Sequence, residues 1–222
     1  MISLRPYVIE GLDCSGKKTI AKIVRERLTR DGIECEIVIG PLYGGFLRKA
    51  DDWLVGLSYK KAFRPLYAVR KLIYVLEPVL DGYFFRPEQN KMIVKVSSHY
   101  RAWARAIVEN DKGMIRGFEC GKKFNYKYMG ASLITTEFQN RVDRHRSDKE
   151  KGKTYKNESQ RFFGNNKDLF ARWNSELEKL LFANVGSVNV VFNNGDVESA
   201  ANLVYEHIKG CLREERDYHD QA

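Results

Sequence analysis

The sequence predicts an α/β domain, a five-stranded parallel sheet with helices on both faces. Two observations carry that expectation. Short runs rich in β-branched and aromatic residues alternate with segments whose apolar residues recur at helical spacing. The first such run also ends in a glycine-rich turn that leads directly into a helical pattern, "YVIEGLDCSGKKTIAKIVRERL" over residues 7–28. Strands that alternate with helices pair in parallel and are covered on both sides. Right-handed crossovers then align the strands' C-terminal ends, and any ligand site, along one edge.

The elements follow in order. Residues 5–10 form a short buried strand. The next helix carries Ile20, Ile23, Val24 and Leu28 on one face and stops at Asp31-Gly32. "ECEIVIG" (34–40) is the second strand. A short helix is expected within 44–57. A longer one covers 62–80, with Pro65 near its start and Pro78 near its end. "KMIVKVSS" (91–98) is the third strand, and 99–110 the helix after it. Residues 111–130, rich in Gly, Lys and aromatics, are expected to be irregular. "ASLITTE" (131–137) is the fourth strand and runs into a helix. A helical pattern over 156–181 is interrupted at Gly164-Asn165-Asn166, and "SVNVVFNN" (187–194) is the fifth strand. A last helix carries Val197, Ala201, Val204 and Ile208 on one face.

At 222 residues the chain reads as a single domain over 1–222, and its 43% apolar content suffices for a core. No apolar run approaches the roughly 18 residues of a membrane span. "MISLRPYVIEG" leads into a folded motif without a signal-peptide layout. Cys14, Cys35, Cys120 and Cys211 are widely separated, without metal-ligand spacing. Reduced thiols and a cytoplasmic location are the simplest expectation. The net charge is +9. One basic stretch runs from Arg141 to Lys156, and Lys60 to Lys71 holds five basic residues and no acid. Such a field attracts anions: a nucleic acid, an acidic membrane face or a phosphorylated small molecule.

Gly11 to Lys17 fits the spacing Gly-x4-Gly-Lys between a strand and a helix, the context in which that spacing binds phosphate. Gly11 and Gly16 let the backbone turn so that N–H groups face phosphate oxygens, and the helix start adds partial positive charge. Lys17 would reach the outer phosphates. The next residue normally offers Mg²⁺ a hydroxyl, but here it is Lys18, which cannot ligate a metal. Thr19 is about 100° further around the helix. Three outcomes stay open: Mg²⁺ is held by the nucleotide, water and a carboxylate elsewhere; Lys18 points away and the metal is loose; or phosphate is bound without metal-dependent chemistry.

The segment "VIEGLDCSGKKTIAKIVRERL" resembles the opening of thymidylate kinases, whose first strand and loop read close to "FEGLDGSGKSTQAKLLAERL". "YAVRKL" (67–72), "IVKVSSHYRAWARA" (93–106), "LITTEFQNRVDRHR" (133–146) and "VVFNNGDVESAANLVYEHI" (190–208) stand where that family has later segments, in matching order. The resemblance implies a P-loop NTPase fold with a small basic lid, here over 141–156. It also implies an ATP- and Mg²⁺-dependent transfer of the γ-phosphate to a nucleoside monophosphate such as dTMP, and a homodimer paired through helices. Gly11, Asp13, Cys14, Ser15, Gly16, Lys17, Lys18 and Thr19 would form or border the donor cradle. Asp13 would face the acceptor sugar, and Arg70 the acceptor phosphate. Arg141, Arg144 and Arg146 would close with Lys17 over the transferred group.

Departures fall on the acceptor side. Ser97-Ser98 replace an Asp-Arg pair, and "GPLYGGFLRK" (40–49) lacks an Arg-Glu. Arg101, one turn later, is placed to offer a guanidinium from another direction. Glu10, ending the first strand, is the replacement carboxylate for Mg²⁺ or a partner of Lys17 or Lys18, and Glu137 is a second strand-end acid. Tyr43, Phe46, Tyr100 and Trp103 are either core residues or base-stacking ones. Two alternatives to a phosphotransferase remain: a P-loop protein that binds nucleotide or phosphate without transfer, and a basic nucleic-acid-binding protein, for which no recognised motif is present.

Overall fold

Tyr7–Glu10 forms the central strand, β1, all four of its residues buried. The computed structural model describes residues 4–43, 65–88, 91–150 and 166–220. Lys17–Arg30 follows as α1, Cys35–Ile39 as β2, and Pro65–Phe84 as α2. Met92–Val96 is β3, His99–Val108 is α3 and Lys112–Gly121 is α4. Then come Gly130–Thr135 (β4), Phe138–Glu150 (α5), Lys167–Asn184 (α6), Val188–Phe192 (β5) and Val197–Asp220 (α7). The sheet has five strands, all paired in parallel, in the order β2-β3-β1-β4-β5. The expected fold class is observed.

Side chains alternate across the sheet as strand geometry requires. Tyr7, Ile9, Val94 and Ile134 pack with Ile20, Val24 and Leu28 of α1 and Val204 and Ile208 of α7. Val8, Ile93 and Leu133 pack on the other face with Trp103 of α3, Phe118 of α4 and Leu177 of α6. In the first layer the Tyr7 hydroxyl is held between Ser132 Oγ at 2.5 Å and His207 Nδ1 at 2.6 Å.

Two expectations are corrected. Residues 111–130 are not irregular throughout: Asp111 caps α4 by accepting from Met114 N, and a short 3-10 turn follows at Lys122–Phe124. Gly117 and Gly121 sit against Val75 and Val79 of α2, where an added Cβ would come within 2.9 and 3.0 Å, so the glycines that suggest a loop are contact surfaces between helices. Pro78 lies inside α2, six residues before its end, rather than near its end. The helix expected within 44–57 lies outside the described residues, as do Phe46 and the 151–156 half of the expected lid. Tyr100 and Trp103 are core residues.

The second layer holds a charged pair that hydrophobic patterning gives no reason to expect. Lys95 Nζ donates to Asp81 Oδ2 at 2.7 Å, and both side chains are 1% exposed. Asp81 Oδ1 also accepts from Leu42 N at 2.6 Å and Tyr43 N at 3.1 Å, tying the segment after β2 to α2. Burial alone would lower the Lys95 pKa, but Tyr128, Asp81 and Glu77 together leave it raised. Removing one member strands the other charge in the core, at a typical cost of about 3–5 kcal/mol. Asp81→Ala is therefore expected to lose about that much stability in urea unfolding. The Asp81→Leu/Lys95→Met double variant should lose less, because no unpaired charge remains.

Candidate functional site

The turn between β1 and α1 has the conformation its glycines allow. Gly11 has φ +146°, and a Cβ there would fall 2.3 Å from the Ile134 carbonyl oxygen. Gly16 has φ +92° and opens α1, and a Cβ there would fall 2.4 Å from Asn193 Nδ2. Cys14 also takes a left-handed φ of 64°. The helix then starts abruptly, and its first N–H groups have no intrahelical acceptor. Those groups and the helix dipole favour an anion.

The loop's carbonyls are turned the other way, onto donors. Lys17 Nζ donates to Leu12 O at 2.7 Å. Arg141 Nε donates to Asp13 O at 3.2 Å, and Arg144 Nη1 to Cys14 O at 3.3 Å. Asn193 Nδ2 donates to Ser15 O at 2.7 Å. Arg144 Nη2 also donates to Asn193 O at 2.8 Å, which joins α5, the β5 end and the loop. Arg141 is buried, with its guanidinium 5.0 Å from the centre of the Phe170 ring. The Ser15 hydroxyl is buried within the loop, with no hydrogen-bond partner among the described residues.

Acidic groups at this edge are already engaged. Asp13 Oδ1 accepts from Arg101 Nη1 at 2.6 Å, and Trp173 Nε1 secures the Arg101 carbonyl at 3.0 Å. Glu10 is fully buried. Its Oε2 accepts from Ser98 N and Ser98 Oγ, each at 2.6 Å, and its Oε1 from Gly11 N at 3.2 Å. Ser98 is the N-cap of α3, so Glu10 pins the third strand's end to the loop. Glu137 is exposed and accepts from Asn194 Nδ2 at 3.3 Å.

Lys17, Asp13, Arg101, Arg141 and Arg144 thus converge on the loop, with Glu10 beneath it. Arg146, Lys18 and Thr19 are exposed. Arg70 lies in α2, one turn before Tyr74, and only its place in the helix is described. Asn193 and Ser98 are functional candidates that sequence reasoning passes over. An Asn-Asn-Gly after a strand reads as a turn, and Ser97-Ser98 reads as a loss. The available signal is position, since both follow strands whose ends must face the loop.

A protein-held Mg²⁺ does not fit the donor set. Mg²⁺ demands near-octahedral oxygen ligands. The hydroxyl position carries Lys18, Glu10 is inaccessible and saturated by donors, and Asp13 is paired with Arg101. Among the described residues no group of three or more His, Cys, Asp or Glu side chains is placed to hold a metal.

No family model and no curated protein sequence matches the chain. Its fold is similar to a solved thymidylate kinase from Candida albicans, with a TM-score of 0.56, 12% identity, and coverage of 96% of this chain and 93% of that one. The likeness is one of fold: a five-stranded parallel α/β sheet in the order β2-β3-β1-β4-β5, covered by helices.

Burial, with the Arg101 guanidinium, pulls the Lys17 ammonium down to about 8, although Asp13, Glu10 and Cys14 act the other way. Lys17 is charged below that value and neutral above it. Any affinity of the loop for a polyphosphate anion should therefore hold below about pH 8 and fall above it, by at most about tenfold per pH unit. Titration calorimetry from pH 7 to 9.5 tests this. Lys17→Met, which has no proton to lose, should bind more weakly and show no such decline.

Proposed function

We propose that the protein is a nucleotide phosphotransferase. It binds a nucleoside triphosphate in the Gly11–Thr19 loop and passes the terminal phosphate to a phosphorylated acceptor of the nucleoside monophosphate class. The observation that carries this reading is the convergence of Lys17, Arg101, Arg141 and Arg144 on one anion-oriented loop. Phosphoryl transfer needs positioning and charge neutralisation more than covalent chemistry, and these groups supply both. Lys17 and Arg144 serve the transferred group, Arg101 and Arg70 the acceptor phosphate, and Arg146 joins them if the 141–156 segment closes as a lid. The similarity to a solved thymidylate kinase supports this class of reaction, and dTMP is the first acceptor to try.

A second reading, binding without transfer, is favoured by one observation: the Asp-Arg of the resembled family is replaced by Ser97-Ser98, and Ser98 is spent on Glu10. ADP release with a panel of deoxy- and ribonucleoside monophosphates separates the two. Turnover with at least one acceptor is expected, together with its loss in Lys17→Ala. Full turnover in that variant would refute the site, and no turnover with any acceptor would leave the binding reading.

Four free thiols fit a cytoplasmic setting. Among the described residues no helix is long and apolar enough to cross a membrane. Nucleic acid is the less supported partner, because the sequence holds no recognised nucleic-acid-binding motif. A homodimer through α2 is supported by its exposed apolar stripe, Val69, Leu72, Leu76 and Tyr83, whose spacing keeps them on one helix face. Light scattering should report a dimer, and Leu72→Glu should shift it to monomer. A monomeric parent chain would exclude the pairing.

A further inference from the structure

We propose that the loop takes its nucleotide free of a divalent cation, the polyphosphate being neutralised by Lys17, Lys18, Arg101, Arg141 and Arg144. The inference rests on the nucleotide reading above and concerns the ionic form of the ligand that this site prefers.

The first ground is the oxygen donors at the sheet edge. The Ser15 hydroxyl is enclosed in the loop, while Thr19 is exposed and one helical step away from the metal-ligand position. Thr136 Oγ1 donates to Asn194 Oδ1 at 3.4 Å. Glu10 and Asp13, the acids beside the loop, each satisfy donors of the protein itself. Glu10 and Asp13 therefore offer a hydrated Mg²⁺ no free carboxylate, and the accessible strand-end acid is Glu137, which accepts from Asn194 Nδ2 at 3.3 Å.

The second ground is charge. Lys18 occupies the first turn of α1, is exposed, and has no hydrogen bond or ion pair among the described residues. Its compact ammonium on a flexible stem is free to meet a phosphate oxygen. The cations around the loop outnumber Glu10 and Asp13. Burial chiefly lowers the Lys17 pKa to about 8, with Arg101 second. An incoming anion meets the excess of positive charge favourably, whereas a divalent cation adds to it. A bound Mg²⁺ also cancels two of the nucleotide's charges, and so weakens its attraction to a cationic site.

Calorimetric titration of the full chain with ATP, in excess EDTA and in excess Mg²⁺, tests the proposal. ATP is expected to bind in EDTA and to bind about three- to tenfold more weakly with Mg²⁺, a difference of about 0.7–1.4 kcal/mol. Lys18→Ser, whose melting temperature should match the parent because Lys18 is exposed, is expected to lose affinity in EDTA and to bind at least as well with Mg²⁺ as without. Tighter binding with Mg²⁺ in the parent chain, or a Lys18→Ser variant indistinguishable from it in both buffers, overturns the proposal. Binding with Mg²⁺ alone overturns it and leaves the nucleotide reading standing. Absence of binding in both buffers overturns the nucleotide reading, and this proposal with it.

Discussion

The constraint on which this site depends is the direction of the peptide groups between Gly11 and Gly16. The carbonyls of four successive residues, Leu12 to Ser15, each accept from a side chain: Lys17, Arg141, Arg144 and Asn193. A peptide group whose oxygen is held on one side has its N–H committed to the other. Ser15 N turns back onto Leu12 O and Gly11 N onto Glu10, while the other N–H groups at the amino end of α1 form an arrangement suited to an anion. Neither glycine tolerates a side chain, because one Cβ would strike the β4 backbone and the other Asn193.

The framework around the turn follows from that geometry. Glu10 leaves β1 pointing under the loop and fastens the start of α3 through Ser98, which ties the third strand's end to the first. Arg144 bridges α5 to the β5 end, and Arg101 reaches Asp13 from α3. Between α2 and β3, Asp81 does comparable work by holding both Lys95 and the backbone after β2. His99, at the start of α3, is kept neutral in the same layer: burial first, and Lys95 second, push its pKa down to about 3. Buried polar groups are expensive to desolvate unless partnered, and Glu10, Asp81 and Lys95 each have partners here.

Much of this was legible in the chain alone. All five strands were read from short β-branched runs, and the strand–loop–helix context of Gly11 to Lys17 marked the ligand edge. The misread segment, 111–130, failed for an identifiable reason. Glycines at 113, 117 and 121 resemble loop punctuation, yet two of them let α4 approach α2 closely. Partners far apart in sequence were also invisible. Asn193 meets Ser15 across 178 positions, and Ser98 meets Glu10 across 88.

The sequence by itself determined the layer architecture, the glycine turn between β1 and α1, and the presence of Lys18 in place of a hydroxyl, because periodicity and residue chemistry are local properties. Only the tertiary structure decided what each charged group does. Glu10 reads as a possible metal ligand until its oxygens are seen to accept from Ser98 and Gly11. Arg141 and Arg144 read as a solvated basic face until they are seen gripping the loop. Whether a charge is free for a ligand depends on which donors and acceptors the fold brings within about 3 Å of it, and that distance is a property of the packed chain.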